Sequence, residues 1–160
     1  MVHQLEQEQV IPASLEEVWA FFSTPKNLDT LTPPDMAFEI VRGGGQPMYQ
    51  GQMIEYRVGA LPGLKTRWLT EITHVEAQTF FVDEQRLGPY RIWHHEHHFC
   101  PVDGGVQMVD RITYVLPFGV LGDAVHACWV RRRLEAIFAF RYDKVEALFG
   151  KRAFSAAGHG

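Results

Sequence analysis

Leu15, Val18, Trp19 and Phe22 fall at i, i+3, i+4 and i+7, so they share one face of a helix. Ser14 stands where an N-cap is needed, and Glu17 three residues later completes a capping box. Thr24 before Pro25 closes this helix and is placed to cap a second, short one, since proline suits the first helical position. TLTPPD then breaks the pattern, and the lead-in HQLEQEQVI alternates imperfectly, as a strand would. After Pro34 the period drops to two. MAFEIV, QMIEYRV, TRWLTEITHV, TFFVDEQRL, RIWHHEHHFC and VQMVDRITYVL are β-branched and aromatic runs parted by glycine- and proline-bearing turns. Such spacing predicts a hairpin-connected antiparallel sheet. From about Leu121 to Phe149 helical spacing returns, with Val130, Leu134, Ile137, Phe138, Arg141, Val145 and Leu148 on one stripe. A helix that long must lay its stripe on something large, and the sheet is the available surface.

Alternation assigns faces on the histidine-rich run. Trp93, His95, His97 and Phe99 share one side of their strand, and His94, Glu96 and His98 share the other. The aromatic-bearing side is expected to face inward, which leaves the second set on a wet outer face. Two histidines at i and i+2 lie ~6–7 Å apart along a strand, so His95 and His97 admit three readings. They can hold a metal ion together with Asp83 or Asp110 on neighbouring strands, although a catalytic zinc site wants three protein ligands whose register sequence does not fix. They can move protons at neutral pH, with Asp110 as a further acid/base candidate. Or they are polar fixtures of a cavity or core, bonded to Asp83, Gln85, Asp110 or Tyr114, and this reading needs the least additional support. Arg141 interrupts the apolar stripe of the last helix, where a charge is costly unless paired. A salt bridge to Asp110 or Asp83 is expected, with anchoring of an acidic head group as the alternative.

Composition narrows the classes of function. The chain has 160 residues and 46% hydrophobic content, enough for one domain with a proper core. Its formal charge of -4 argues against a general affinity for nucleic acid. No signal peptide and no membrane-length apolar run is seen, so a cytoplasmic protein is expected. Cys100 and Cys128 lack CxxC spacing and read as small apolar residues. No Gly-rich phosphate loop lies between a strand and a helix.

The order of elements, and the stretches IPASLEEVWAFFSTPKNLDTLTPP, FVDEQRLGPYRIWHHEHHF and DRITYVLPFGVLG, resemble the START-like, or SRPBCC, helix-grip superfamily, in particular its bacterial cyclase/dehydrase-like, ligand-binding group. The resemblance implies an α+β fold in which a curved antiparallel sheet wraps a long C-terminal helix, with two short helices after the first strand. It further implies a cavity, with the loops Gly59 to Gly63 and Pro117-Phe118-Gly119 near its mouth. Members include lipid carriers, hormone receptors, polyketide cyclases and quinone-binding proteins, so fold alone does not settle activity.

Residues 1–150 are accordingly expected to form one ligand-binding domain and 151–160 a frayed tail. The expected function is carriage of a small hydrophobic or amphipathic molecule, lipid, quinone or polyketide-like; a cyclase or dehydratase using cavity histidines is the alternative. Expected ligand-binding residues are Trp68, Phe81, Asp83, Gln85, Trp93, His95, His97, Phe99, Tyr114, Phe138 and Arg141. No metal, cofactor or nucleic acid is expected, and the chain reads as a monomer or homodimer.

Overall fold

A computed structural model describes residues 1–61, 64–119 and 129–151. Strand β1 (His3–Ile11) leads into helix α1 (Leu15–Phe22), whose start is the expected capping box: the Glu17 N–H donates to Ser14 Oγ at 3.3 Å, and the Ser14 N–H donates to Glu17 Oε2 at 3.0 Å. Thr24 departs from expectation. Its hydroxyl donates back to the Ala20 carbonyl at 2.7 Å, and the single 3-10 turn that follows, Pro25–Leu28, has no side-chain cap. A second 3-10 turn, Pro34–Met36, ends at Ala37 in the left-handed region, with φ of 43°. That turn consumes the start of MAFEIV, so β2 is confined to Glu39–Arg42.

The remaining strands are β3 (Met53–Leu61), β4 (Leu64–Glu76), β5 (Phe80–Leu87), β6 (Ile92–Val102) and β7 (Gly105–Val115). All pair antiparallel in one seven-stranded sheet of order β1-β7-β6-β5-β4-β3-β2. Only the β1–β7 pairing joins elements distant in sequence. Register shifts interrupt β4 at Leu69/Thr70 and at Ile72/His74; bulges of this kind sharpen the twist and curl the sheet into a cup.

At the β6–β7 hairpin, Gly105 has φ of 152°, and a Cβ there would lie 2.1 Å from the Ile11 carbonyl oxygen. That oxygen is backbone of β1 and cannot swing aside. Gly105→Ala is therefore expected to cost about 1–3 kcal/mol through overpacking, read as a lower urea midpoint at unchanged slope.

Helix α2 (Arg131–Phe149) follows a π-helical turn at Trp129 and Val130; residues 121–128 of the expected longer helix lie outside the described residues, as do residues 152–160 of the expected tail. The stripe faces the sheet as its spacing predicts, with Leu134, Phe138, Arg141 and Val145 buried, although Leu148 at the end is half exposed. Two glutamines of β1 tie the helix down. Gln7 Nε2 donates to the Phe138 carbonyl at 3.2 Å and Gln9 Nε2 to the Tyr142 carbonyl at 3.0 Å. The helix is thus moored on the β1 side of the cup. Val145 and α1 close one end of the cup in a cluster with Ile11, Val18, Phe22, Phe81 and Phe99. Cys100 is exposed, since it follows Phe99 on β6 and so takes the opposite face; Cys128 lies outside the described residues. Among the described residues no helix is long and apolar enough to cross a membrane.

Candidate ligand cavity

Because α2 is moored on β1, it stands off the inner face of β3 to β6, and the space left is a cavity of about 580 Å³. Its walls are mainly apolar, with Ile54, Tyr56, Trp68, Ile72, Trp93 and Phe138 among them. Pro117, Phe118 and Trp129 also line it, and Phe118 is 83% exposed, so this side is open to solvent. One patch is strongly polar. There Asp83, His95, His97 and Arg141 border the space.

Strand register makes that patch. Asp83 on β5 lies opposite His95 on β6, and His97 lies opposite Asp110 on β7. Directly opposed residues of antiparallel strands share a face, so the four side chains converge on the inner side. Asp83 Oδ2 is 3.0 Å from His97 Nε2, which it meets in a hydrogen bond, and 3.3 Å from His95 Nδ1. Asp110 Oδ1 is 2.6 Å from His97 Nδ1 and 3.3 Å from His95 Nε2, while its Oδ2 is 3.4 Å from Arg141 Nε. The two imidazoles stand with centroids 3.8 Å apart, and Phe81 stacks on His97 at 4.2 Å. Both histidines, Asp110 and Arg141 are buried.

Burial alone would raise the Asp83 carboxyl pKa, but the charge of His95 and the hydrogen bonds of both histidines outweigh it and hold the group far below the usual carboxylate range. Burial likewise opposes ionisation of Asp110, and the charges of Arg141 and His97 override it, again holding the carboxyl well below its ordinary value. For His95 burial pulls downward, yet the Asp83 charge and the Asp110 contact raise it above an ordinary imidazole. Tyr56 is buried nearby, in contact with Thr70; burial first and the Asp83 charge second push its hydroxyl pKa up, so it stays protonated.

Of the residues expected to meet a ligand, Trp68, Phe81, Asp83, Trp93, His95, His97, Phe138 and Arg141 border this one cavity. Three do not. Gln85 is engaged in the turn that follows its strand, donating to the Tyr90 carbonyl at 2.6 Å and accepting from the Tyr90 N–H at 3.2 Å. Phe99 is on the inward face but lies under α1, against Trp19 and Phe22. Tyr114 is buried beside Trp93 and under α2, in the cluster with Val130 and Leu134. Asp110 sits behind the histidines. Ile54 and Tyr56 were missing from the expected set, although their alternation along QMIEYRV was visible and only the facing of that strand was undetermined. The outward residues form a polar network at the surface: His94 Nδ1 is 2.8 Å from Glu84, and His98 Nε2 is 2.8 Å from Glu96.

Residues 2–149 match the family described as polyketide cyclase / dehydrase and lipid transport. The chain belongs to this family. No curated protein matches the sequence. Among solved structures, the Zhui aromatase/cyclase from Streptomyces sp. R1128 is similar over 99% of each chain, with a TM-score of 0.72 and 16% identity. Protein CV1439 from Chromobacterium violaceum is similar over 92% of this chain and 97% of its own, with a TM-score of 0.70 and 12% identity. The di-domain ARO/CYC StfQ of the steffimycin biosynthetic pathway is similar over 93% of this chain and 51% of its own, with a TM-score of 0.71 and 14% identity. At these identities the likeness is one of fold, the helix-grip of the cyclase/dehydrase family.

Proposed function

We propose that the protein binds one small amphipathic molecule of the lipid, quinone or polyketide-like class, its apolar body against the walls and its polar end toward His95, His97 and Arg141. The observation that carries this reading is the one-sided polarity of a cavity whose volume, about 580 Å³, falls within the usual small-molecule range. Trp68 supports it. This cavity-lining residue carries a buried indole N–H with no hydrogen-bond partner among the described residues, a costly state that an acceptor oxygen on the ligand relieves.

A second reading, acid/base catalysis in the same cavity, is favoured by the Asp83 carboxylate, which orients the His97 imidazole at 3.0 Å. The names of the two aromatase/cyclase neighbours lend it weight. In such a dehydration one imidazole takes a proton from carbon, the other group protonates the departing hydroxyl, and water leaves.

Fluorescence titration with a hydroxynaphthoquinone probe tests the first reading. Quenching of the cavity tryptophans should saturate at one equivalent, and Trp68→Phe should weaken binding about 5- to 10-fold, the worth of one hydrogen bond. A protein that takes up neither this probe nor a fluorescent fatty acid would overturn carriage. His97→Ala separates the two readings: a modest change in affinity marks a carrier, whereas lost turnover with affinity retained marks an enzyme.

A further inference from the structure

We infer that Asp83, His95 and His97 form a site for one divalent first-row metal ion of the zinc class, with a coordination position open to the cavity. This goes beyond ligand carriage and does not depend on it. The inference starts from an imbalance of donors and acceptors. Two imidazoles offer four ring nitrogens, and all four face carboxylate oxygens: His95 Nδ1 and His97 Nε2 face Asp83 at 3.3 and 3.0 Å, while His95 Nε2 and His97 Nδ1 face Asp110 at 3.3 and 2.6 Å. A neutral imidazole has one N–H and one lone pair. Two neutral rings therefore set two lone pairs against carboxylates, and one protonated ring still leaves one such clash.

Protonating both rings removes the clash, but it stacks two cations at 3.8 Å beside the Arg141 guanidinium, whose Nη2 is 3.4 Å from His97 Nδ1. Buried like charges so close disfavour that state. His95 Nε2 and Asp110 Oδ1 meanwhile have no hydrogen-bond partner among the described residues, although they lie 3.3 Å from each other.

A divalent ion on the Asp83 side removes both lone-pair clashes with the carboxylates and needs no second imidazolium. It takes His95 Nδ1, His97 Nε2 and Asp83 Oδ2, and each ring then carries its proton on the far nitrogen, toward Asp110. Ligand atoms of the three residues already lie within 4.8 Å of one another. Tetrahedral bonds of ~2.0–2.1 Å place ligand atoms roughly 3.3 Å apart, so the 3.0 and 3.3 Å edges to Asp83 need little adjustment. Asp110 behind the rings is the carboxylate that metal-bound histidines commonly engage through their other nitrogen. Two imidazoles, one carboxylate and no thiolate suit zinc and its divalent neighbours over soft ions. Three protein ligands with one open position is the arrangement of sites that hold water or a substrate oxygen.

The test is titration of chelator-dialysed protein with Co²⁺, a coloured stand-in for zinc. One equivalent should give the visible absorption of a four- or five-coordinate site. Asp83→Asn and the double variant His95→Gln/His97→Gln should lose the band, Asp110→Asn should weaken binding about 10- to 100-fold, and the outer-face double variant His94→Gln/His98→Gln should leave it intact. Absence of the band in the wild type would overturn the site. So would its survival in the inner double variant or its loss in the outer one. Should an inner variant not fold, ¹⁵N imidazole spectra of the wild type decide: of the eight histidines, two should shift on Zn²⁺ addition, one through Nδ1 and one through Nε2. Shifts at any other pair or pattern would overturn the assignment.

Discussion

Arg141→Met is expected to lower the unfolding free energy by about 3–5 kcal/mol, measured by urea unfolding at pH 7 with chelator present. Methionine keeps an unbranched stem among the rings of Phe22 and Phe138, which lie 5.5 and 5.9 Å from the guanidinium carbon, so little packing is lost. What is lost is the cation 3.4 Å from Asp110, a carboxylate only 8% exposed. The histidines contribute charge only where they are protonated, and they are shared with Asp83, so they do not replace a permanent guanidinium. If the cost comes from the stranded carboxylate, Asp110→Asn in the Arg141→Met background should recover most of it, because a neutral amide has a far smaller burial penalty. A single variant within 1 kcal/mol of wild type, or a double variant no better than the single, would mean that Asp110 draws its stability from elsewhere.

That the arginine and the aspartate meet was legible from the sequence as far as one charge on an apolar stripe demands a partner, with Asp110 and Asp83 as the acids in range. Register decided between them. Periodicity likewise gave all the strands and the inward face of β6, because burial on one side leaves a period-two trace. It could not say how far along that face the cavity extends. Phe99 shares a face with His97 yet is core, since α1 covers that end of the cup and brings Trp19 and Phe22 onto it. Tyr114 is core for a parallel reason, α2 lying over it. Which helix covers which part of a sheet is a tertiary fact with no local signature. Gln85 lies off the cavity and Thr24 caps no second helix for a different reason. Both use their polar groups on nearby backbone, Gln85 on Tyr90 and Thr24 on Ala20, a competition that short-range hydrogen bonding wins without leaving a periodic mark. The metal reading stayed open because it turns on whether Asp83 falls opposite His95, and a shift of one residue would place it on the outer face.

Stability in the presence of chelator is expected to peak between about pH 4 and 6.5 and to fall on both sides, with the acid limb the larger. Asp83 and Asp110 have native pKa values below their ordinary one, so the unfolded chain takes up protons first as pH drops. Their contribution is complete above about pH 4 and is lost as pH falls toward the native values. Two such carboxylates lose this contribution in acid, against one imidazole on the alkaline side, so the acid limb is the larger. His95 behaves in the opposite sense. Its native pKa lies above the ordinary imidazole value, so its contribution is complete below about pH 6.5 and fades as pH rises through the raised value, at up to about 1.4 kcal/mol per pH unit. The groups facing His95 are Asp83, Asp110 and His97, with Arg141 behind Asp110. Tyr56, beside Asp83, has its hydroxyl pKa pushed up by burial and so adds no limb of its own. His95→Gln removes the titrating group while leaving both carboxylates. It should flatten the alkaline limb and shrink the Asp83 part of the acid limb, since that carboxylate loses the His95 charge, while the Asp110 part stays with Arg141 and His97. An alkaline limb of unchanged slope in that variant would assign the proton to a different histidine.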